Sequence, residues 1–302
     1  MDRLDAMTAF VAVADMRGFS GAARRLGVSA SGVTRLVAAL EERLGVRLLQ
    51  RTTRQVTLTD AGSRYLERAR RILTDVGEAE SAAQAERGVP TGRLVVTASN
   101  LFGRLHVAPV VSAYLTKYPN VAAELTLTDR IVNLVEDGVD IAVRIGVLED
   151  SSHVARNVGS TRRVVVASPR YLKRHKAPRS PSDLTAHETI QFTALSPIPE
   201  WRFVQHGAET RITIAPRFVT NSADSAIAHA ELGGGLTMVL AYQVIEAVRA
   251  HRLAIVLDGF EPEPLPIHLV YPTSRLLSAK VRAFLDLVTK TCDWRFVLQP
   301  SR

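Results

Sequence analysis

Between Arg17 and Arg54 the chain places arginines at 17, 24, 25, 35, 43, 47, 51 and 54 against only two acidic residues, Glu41 and Glu42. A guanidinium forks two hydrogen bonds onto a phosphate or a base edge, so an arginine field with so few counter-charges attracts a polyanion. Ser29, Ser31 and Thr34 stand beside Arg35 as small hydroxyl donors, and Arg51, Thr53 and Arg54 form a second basic group further on. The chemistry of these residue types is recognition of double-stranded DNA, not bond making. Ser29, Ser31, Thr34, Arg35, Arg51, Thr53 and Arg54 are the expected contacts. The competing reading is a solvated basic face on a helical hairpin.

Contacts of this kind need short rigid elements to hold them. Ser20 reads as an N-cap opening a helix through Ala22, Ala23 and Leu26, which Gly27 ends. A second helix restarts near Ser29 to Ser31. There Val33, Leu36, Val37, Leu40 and Leu44 fall at i, i+3, i+4, i+7 and i+11, a single buried stripe that leaves Thr34 and Arg35 pointing elsewhere. Two helices joined by a Gly-containing turn, the second with small polar residues and Arg near its start, form a helix-turn-helix. A supporting helix over about Leu4 to Met16 places Leu4, Met7, Phe10, Val11 and Ala14 on one side. Leu48 to Arg51 and Gln55 to Leu58 flank Thr52-Thr53-Arg54 as a two-stranded wing.

This region resembles the N-terminal domain of the LysR-type transcriptional regulators. The resemblance is carried by LDAMTAFVAVADMRGFS, by Ala-Ala-Arg-Arg-Leu, by Val-Thr-Arg and Leu-Glu in the next helix, and by the Leu-Thr-Asp-Ala-Gly after the wing. Many members carry Ser-Gln-Pro-Ala or Ser-Pro-Ser-Ala where this chain has Ser29-Ala30-Ser31-Gly32, so no glutamine base contact carries over.

From about Thr59 to Arg87 there is no proline, and Leu66, Ala69, Leu73, Val76 and Ala83 keep a heptad rhythm interrupted by Glu80. A helix of this length with a narrow apolar seam is expected to pair across a dimer, and the resemblance implies an antiparallel linker-helix pairing and assembly into a homotetramer. Gly88-Val89-Pro90-Thr91-Gly92 breaks the helix and marks a boundary. The expected organisation is a winged helix-turn-helix over 1–59, a dimerisation helix over 60–88 and a third region over 89–302.

After the break the pattern turns α/β. Leu94 to Ala98, Ala122 to Leu127 and Asp140 to Arg144 read as strands of a parallel sheet, with helices over about Val107 to Tyr118 and Arg130 to Asp137. A second set begins at Arg163 to Ala167. It continues through a hairpin (Trp201 to Val204, Thr210 to Ile214), a helix over Ala223 to Leu232, a strand over Leu236 to Leu240 and a helix over Tyr242 to Ala250. The chain returns through His268 to Tyr271 and ends on a helix over Ser278 to Thr291. Two subdomains, about 92–162 with 267–302 and about 163–266, would enclose a cleft. VDIAVRIG, GGGLTMVLAYQV and HLVYPTSRLLSAKVRAFLDLV resemble the LysR effector domain, which implies a periplasmic-binding-protein-like build; the proline usual after the Gly-rich strand is replaced around Ala241-Tyr242.

Ligands of open α/β sheets bind beyond the carboxyl ends of strands. That rule selects Ser99, Asn100, Leu101, Thr128 and Arg144, and the second subdomain adds Phe192, Thr193, Asn221 and Ser222. Arg144 suits an anionic, carboxylate-bearing effector. The competing reading is that Ser99, Asn221 and Ser222 only cap helices and that Arg144 pairs structurally with Asp140 or a nearby carboxylate.

Composition excludes several classes. Lys plus Arg total 38 against 30 Asp plus Glu, a net charge of +8, and 46% of residues are apolar, as in globular proteins. No run is long and apolar enough to span a membrane and MDRLDAMTAF lacks a signal-peptide core, so the expected place is the cytoplasm. Cys292 is the only cysteine, read as a packing residue, which removes disulfides and multi-cysteine metal sites. Eight scattered histidines form no catalytic pattern and Gly233-Gly234-Gly235 lacks the Lys of a P-loop. The expectation is an effector-responsive transcription regulator with no catalytic residue, cofactor or metal. The alternatives are an architectural DNA-binding protein without effector, or a metabolite-converting domain fused to a DNA-binding head.

Overall fold

The computed structural model describes residues 2–51, 56–84, 89–130, 132–134, 136–148, 153–272 and 277–296. The chain divides into two compact units, Met1–Gly88 and Val89–Arg302.

The first unit packs α1 (Arg3–Met16), α2 (Phe19–Leu26) and α3 (Ala30–Leu44) around Phe10, Val13, Ala22, Val33, Val37 and Leu40, all at 0% exposure. Left-handed Gly27 and Gly45 end α2 and α3, a conformation glycine adopts without steric cost. The start of α2 differs from expectation: its N-cap is Gly18, and Ser20 lies inside the helix. Leu44 is 40% exposed and so outside the core stripe. The wing strands β1 (Leu49–Arg51) and β2 (Val56–Leu58) pair antiparallel, Leu49 opposite Leu58. Glu41 on α3 fastens their base, its carboxylate accepting from the amides of Leu48 at 2.7 Å and Leu49 at 3.0 Å.

The Leu-Thr-Asp-Ala-Gly stretch has a packing explanation. The Thr59 hydroxyl accepts from the Gly62 amide at 2.9 Å, capping α4 (Asp60–Gln84), and donates to the Arg47 carbonyl at 2.8 Å. A side chain at Gly62 would put Cβ 2.0 Å from the Leu48 carbonyl oxygen, so only glycine lets α4 cross there. With 25 residues α4 is about 38 Å long. Leu66 and Ala69, expected in a dimer seam, are both buried within the single chain, and Leu66 belongs to the core of this unit, because the first turns of α4 lie against it. Ile72 is exposed, Leu73 and Val76 are half-buried, and nothing is described for the side chains of Glu80 and Ala83.

The second unit contains two sheets. One runs β15-β6-β14-β5-β3-β4, built from β3 (Gly92–Ala98), β4 (Val121–Leu127), β5 (Ile141–Ile145), β6 (His153–Thr161), β14 (Leu265–Pro272) and β15 (Trp294–Phe296). The other runs β11-β8-β12-β7-β13, from β7 (Arg163–Ala167), β8 (Thr189–Phe192), β11 (Pro216–Thr220), β12 (Leu236–Leu240) and β13 (Ala254–Val256). A separate hairpin joins β9 (Glu200–Gln205) to β10 (Ala208–Thr213). The sheets are mixed, not purely parallel: β14 is antiparallel to β5 and β6, and β7 to β12 and β13. The chain crosses between them at Arg162 and again between Val256 and Leu265. The Arg162 guanidinium and Glu261 carboxylate meet there at 2.6 Å.

Helices cover the sheets. The first is longer than its sequence pattern: α5 (Asn100–Phe102), a π turn over Gly103–Val107 and α6 (Ala108–Lys117) run without a break. The others are α7 (Pro169–His175), α8 (Ala223–Glu231), α9 (Ala241–Arg249) and α10 (Ala279–Thr291). The helix expected over Arg130 to Asp137 is not present among the described residues. Asn133 and Asp137 bond their side chains to nearby backbone amides, and left-handed Gly138 follows, which favours a compact turn over helix propagation. Lys280 on α10, at 4% exposure, meets Asp140 at 3.1 Å, and Asp140 also accepts from the Val95 amide at 2.7 Å. Asp140 therefore locks α10 to the sheet and is not the partner of Arg144.

Candidate functional site

The helix-turn-helix presents the first candidate site. At the start of α3 the Ser29 hydroxyl accepts from the Gly32 amide at 3.1 Å and lies 3.1 Å from the Ser31 hydroxyl. Thr34 donates to the Ala30 carbonyl at 2.9 Å. Ser29, Ser31 and Arg35 are exposed and Thr34 is half-buried. Arg35 makes no side-chain hydrogen bond or ion pair among the described residues, so its guanidinium stands free on the exposed face of α3. Arg25, by contrast, is held by Asp15 at 2.9 Å, and Arg70 bonds the same carboxylate. Thr53 and Arg54 lie outside the described residues, as does the side chain of Arg51.

The second candidate site is a cavity of about 520 Å³ between the two sheets of the second unit. Ser99, Asn100, Leu101 and Thr128 line it from beyond strand ends of the first sheet and Arg144 from within β5, while Phe192, Asn221 and Ser222 line it from the second. Thr193 does not line it. Its amide donates to the Thr220 carbonyl at 2.9 Å and its hydroxyl to the same oxygen at 3.3 Å, fastening β8 to β11. Asp129, Arg130, Asp224, Tyr242 and Gln243 also line the cavity and escaped the sequence reading. The strand-end rule applied to β12 selects Tyr242 and Gln243, which open α9 immediately after it.

The charges of the cavity are unevenly satisfied. Asp224 pairs with Arg104 at 3.0 Å, an exposed ion pair joining α8 to the π turn. Asp129 accepts from the Asn100 amide at 3.0 Å and from its side-chain amide at 2.7 Å, but has no cationic partner among the described residues. Arg144 is half-buried, makes no side-chain hydrogen bond or ion pair among the described residues, and has a buried Nη2 without a partner. Burial alone holds its pKa below the usual arginine range. An unpaired cation removed from water is costly and is kept where something else supplies the counter-charge.

Tyr242 forms the floor, 4% exposed. Its ring packs edge-on against Phe102 at 5.0 Å and lies 5.5 Å from the His106 ring. Its hydroxyl accepts from the Gln243 amide at 3.2 Å and bonds Ser99. Burial pushes the phenol up to about 12, the Gln243 and Ser99 hydrogen bonds oppose this, and the charges of Asp129 and Asp224 reinforce it, so it stays protonated. Burial drives His106 down to about 4, leaving a neutral ring packed at tilted and edge-on angles among Phe102, Tyr242 and Phe296. Among the described residues no group of three or more His, Cys, Asp or Glu side chains is arranged to hold a metal ion, and no helix is long and apolar enough to cross a membrane.

Both halves of the chain match known families. Residues 4–63 match the bacterial regulatory helix-turn-helix protein, lysR family, and residues 87–293 match the LysR substrate binding domain. An HTH-type transcriptional repressor of Pseudomonas aeruginosa is 35% identical over 95% of this chain and 92% of its own length. The structure of CrgA, a LysR-type transcriptional regulator from Neisseria meningitidis, superposes with a TM-score of 0.61 at 32% identity, covering 95% of this chain and 97% of that one. Full-length AphB, a Vibrio cholerae virulence activator, gives 0.62 at 26% identity over 96% and 99%. With a DNA-binding model over one unit, a substrate-binding model over the other and relatives that align nearly end to end, the chain belongs to the LysR family of transcription regulators.

Proposed function

We propose that this regulator binds operator DNA in the cytoplasm as a homodimer joined through residues 60–88, and works as a homotetramer whose grip on DNA changes when a small molecule fills the cavity. The observation that carries the effector reading is Arg144, a half-buried cation without a counter-charge among the described residues, on the wall of a cavity between the two sheets. A ligand that touches both sheets favours the closed arrangement of the two subdomains over the open one by its difference in affinity for them. On the DNA side α3 enters the major groove with Ser31 and Arg35 foremost and Thr34 alongside, Ser29 orients the helix entrance, and Arg51, Thr53 and Arg54 of the wing meet the backbone or minor groove. Exposed Ile72 with half-buried Leu73 and Val76 supports pairing along the later turns of α4.

Selection of bound sequences from a random DNA pool tests the first part: a dyad-symmetric site with affinity falling steeply with salt is expected. A pool without a shared motif would move the protein to an architectural role. Footprint and bend angle on the selected site, measured with and without a compound that raises the melting temperature, test the second part. Identical footprint and bend would sink the effector mechanism.

A further inference from the structure

We infer that the cavity takes a bipolar ligand: a small carboxylate that also carries a hydroxyl or ammonium donor, its carboxylate on Arg144 and its donor at Asp129. The inference rests on the effector reading above and adds the chemical class.

The helix starts at the cavity are the usual place to seat an anion, but here the protein fills them itself. Asp129 occupies the amide and side chain of Asn100 at the start of α5. At the start of α8 the Ser225 amide is taken by the Ser222 hydroxyl at 3.2 Å, and Asp224 sits in the first turn. An anion arriving there meets two carboxylates. Asp224 is neutralised by Arg104; Arg130 is exposed, and its charge is spent largely on solvent. What remains is Arg144, half-buried and without a partner among the described residues, and Asp129, which is exposed like Arg130 but is tied to Asn100 and lines the same cavity; the two are not paired with each other.

A ligand with charge at one end alone satisfies only half of that pattern. The Asp129 carboxylate offers acceptor positions beyond the two that Asn100 uses, and the Tyr242 hydroxyl, bonded to Ser99 and Gln243, stands near it. Leu101, Phe192, Leu195, Leu240 and Leu265 supply an apolar wall for a short hydrocarbon body. A planar carboxylate matches the Arg144 fork, and a donor at the far end completes the acceptors around Asp129.

The test uses the full-length protein in thermal-shift and calorimetric titrations. The probes are common metabolites sorted into carboxylates with a donor, carboxylates without one, neutral molecules and amines. They include the matched set γ-hydroxybutyrate, γ-aminobutyrate, butyrate, butanol and butylamine. Expected is stabilisation concentrated in the first group. Arg144→Met should abolish it. Asp129→Asn, which keeps an acceptor for the Asn100 amide, should weaken donor-bearing acids about tenfold and bring them level with plain acids. Circular dichroism and a cooperative melt confirm that both variants fold. Stabilisation confined to neutral molecules or amines, or surviving Arg144→Met, overturns the ligand class and leaves the effector reading standing. No stabilisation by any group overturns both.

Discussion

Replacing Arg144 by Met should make the ligand-free protein more stable while removing its response to ligand. The reasoning begins with the position: Arg144 lies on β5 opposite His268 of β14, half-buried, its pKa held down by burial and by no neighbouring charge. Burying an unpaired ion costs several kcal/mol when burial is complete, so partial burial leaves about 1–2 kcal/mol. Met keeps much of the apolar stem that packs on the sheet, so little packing is lost in exchange. For a unit of this size that gain corresponds to a melting temperature higher by about 2–8 °C. Differential scanning calorimetry of wild type and variant without added ligand reads it directly. A lower melting temperature in Arg144→Met would mean that the arginine stabilises the fold, and the argument for a missing counter-charge would fail.

Three further outcomes follow from the same geometry. Arg35→Ala should weaken operator binding by about 1–3 kcal/mol, roughly 5- to 150-fold, with an unchanged melt; equal affinity in a mobility-shift titration would remove Arg35 from the interface. Gly62→Ala forces a Cβ to within 2.0 Å of the Leu48 carbonyl, and should destabilise the N-terminal unit by about 2–3 kcal/mol; a melt coincident with wild type would contradict the close crossing of α4. Burial pushes the Glu261 carboxyl up to about 7 from an ordinary 4.5, with the Asp258 charge adding to this and the Arg162 charge and hydrogen bond opposing it. The folded chain therefore holds that proton more tightly than the unfolded chain, so its contribution is fully present below about 4.5 and is lost as pH rises through about 7. Glu261→Gln should flatten this part of the stability profile between about pH 5 and 8, and parallel melting curves for the two proteins would refute the shift.

The DNA-reading head was legible in the sequence because its determinants are local. Ser29 caps α3, Gly27 and Gly45 end helices in left-handed turns, and Val33, Val37 and Leu40 repeat at helical period, all within a few residues of what they control. The strand-end rule found much of the cavity for a similar reason: strands such as Arg163–Ala167 and Leu236–Leu240 announce themselves by apolar runs, and the residue after a strand follows. Short or polar strands did not. β6, β8, β11, β13 and β15 are held by partners far away in the chain, as when Trp294 pairs beside Gly159. Tertiary structure alone decided who pairs with whom. Asp140 went to Lys280 across 140 positions, leaving Arg144 without a counter-charge among the described residues, and Leu66 went to the head's own core. Charge type and helical period are written along the chain, whereas whether a buried charge meets its opposite depends on distances that exist only once distant strands and helices have packed.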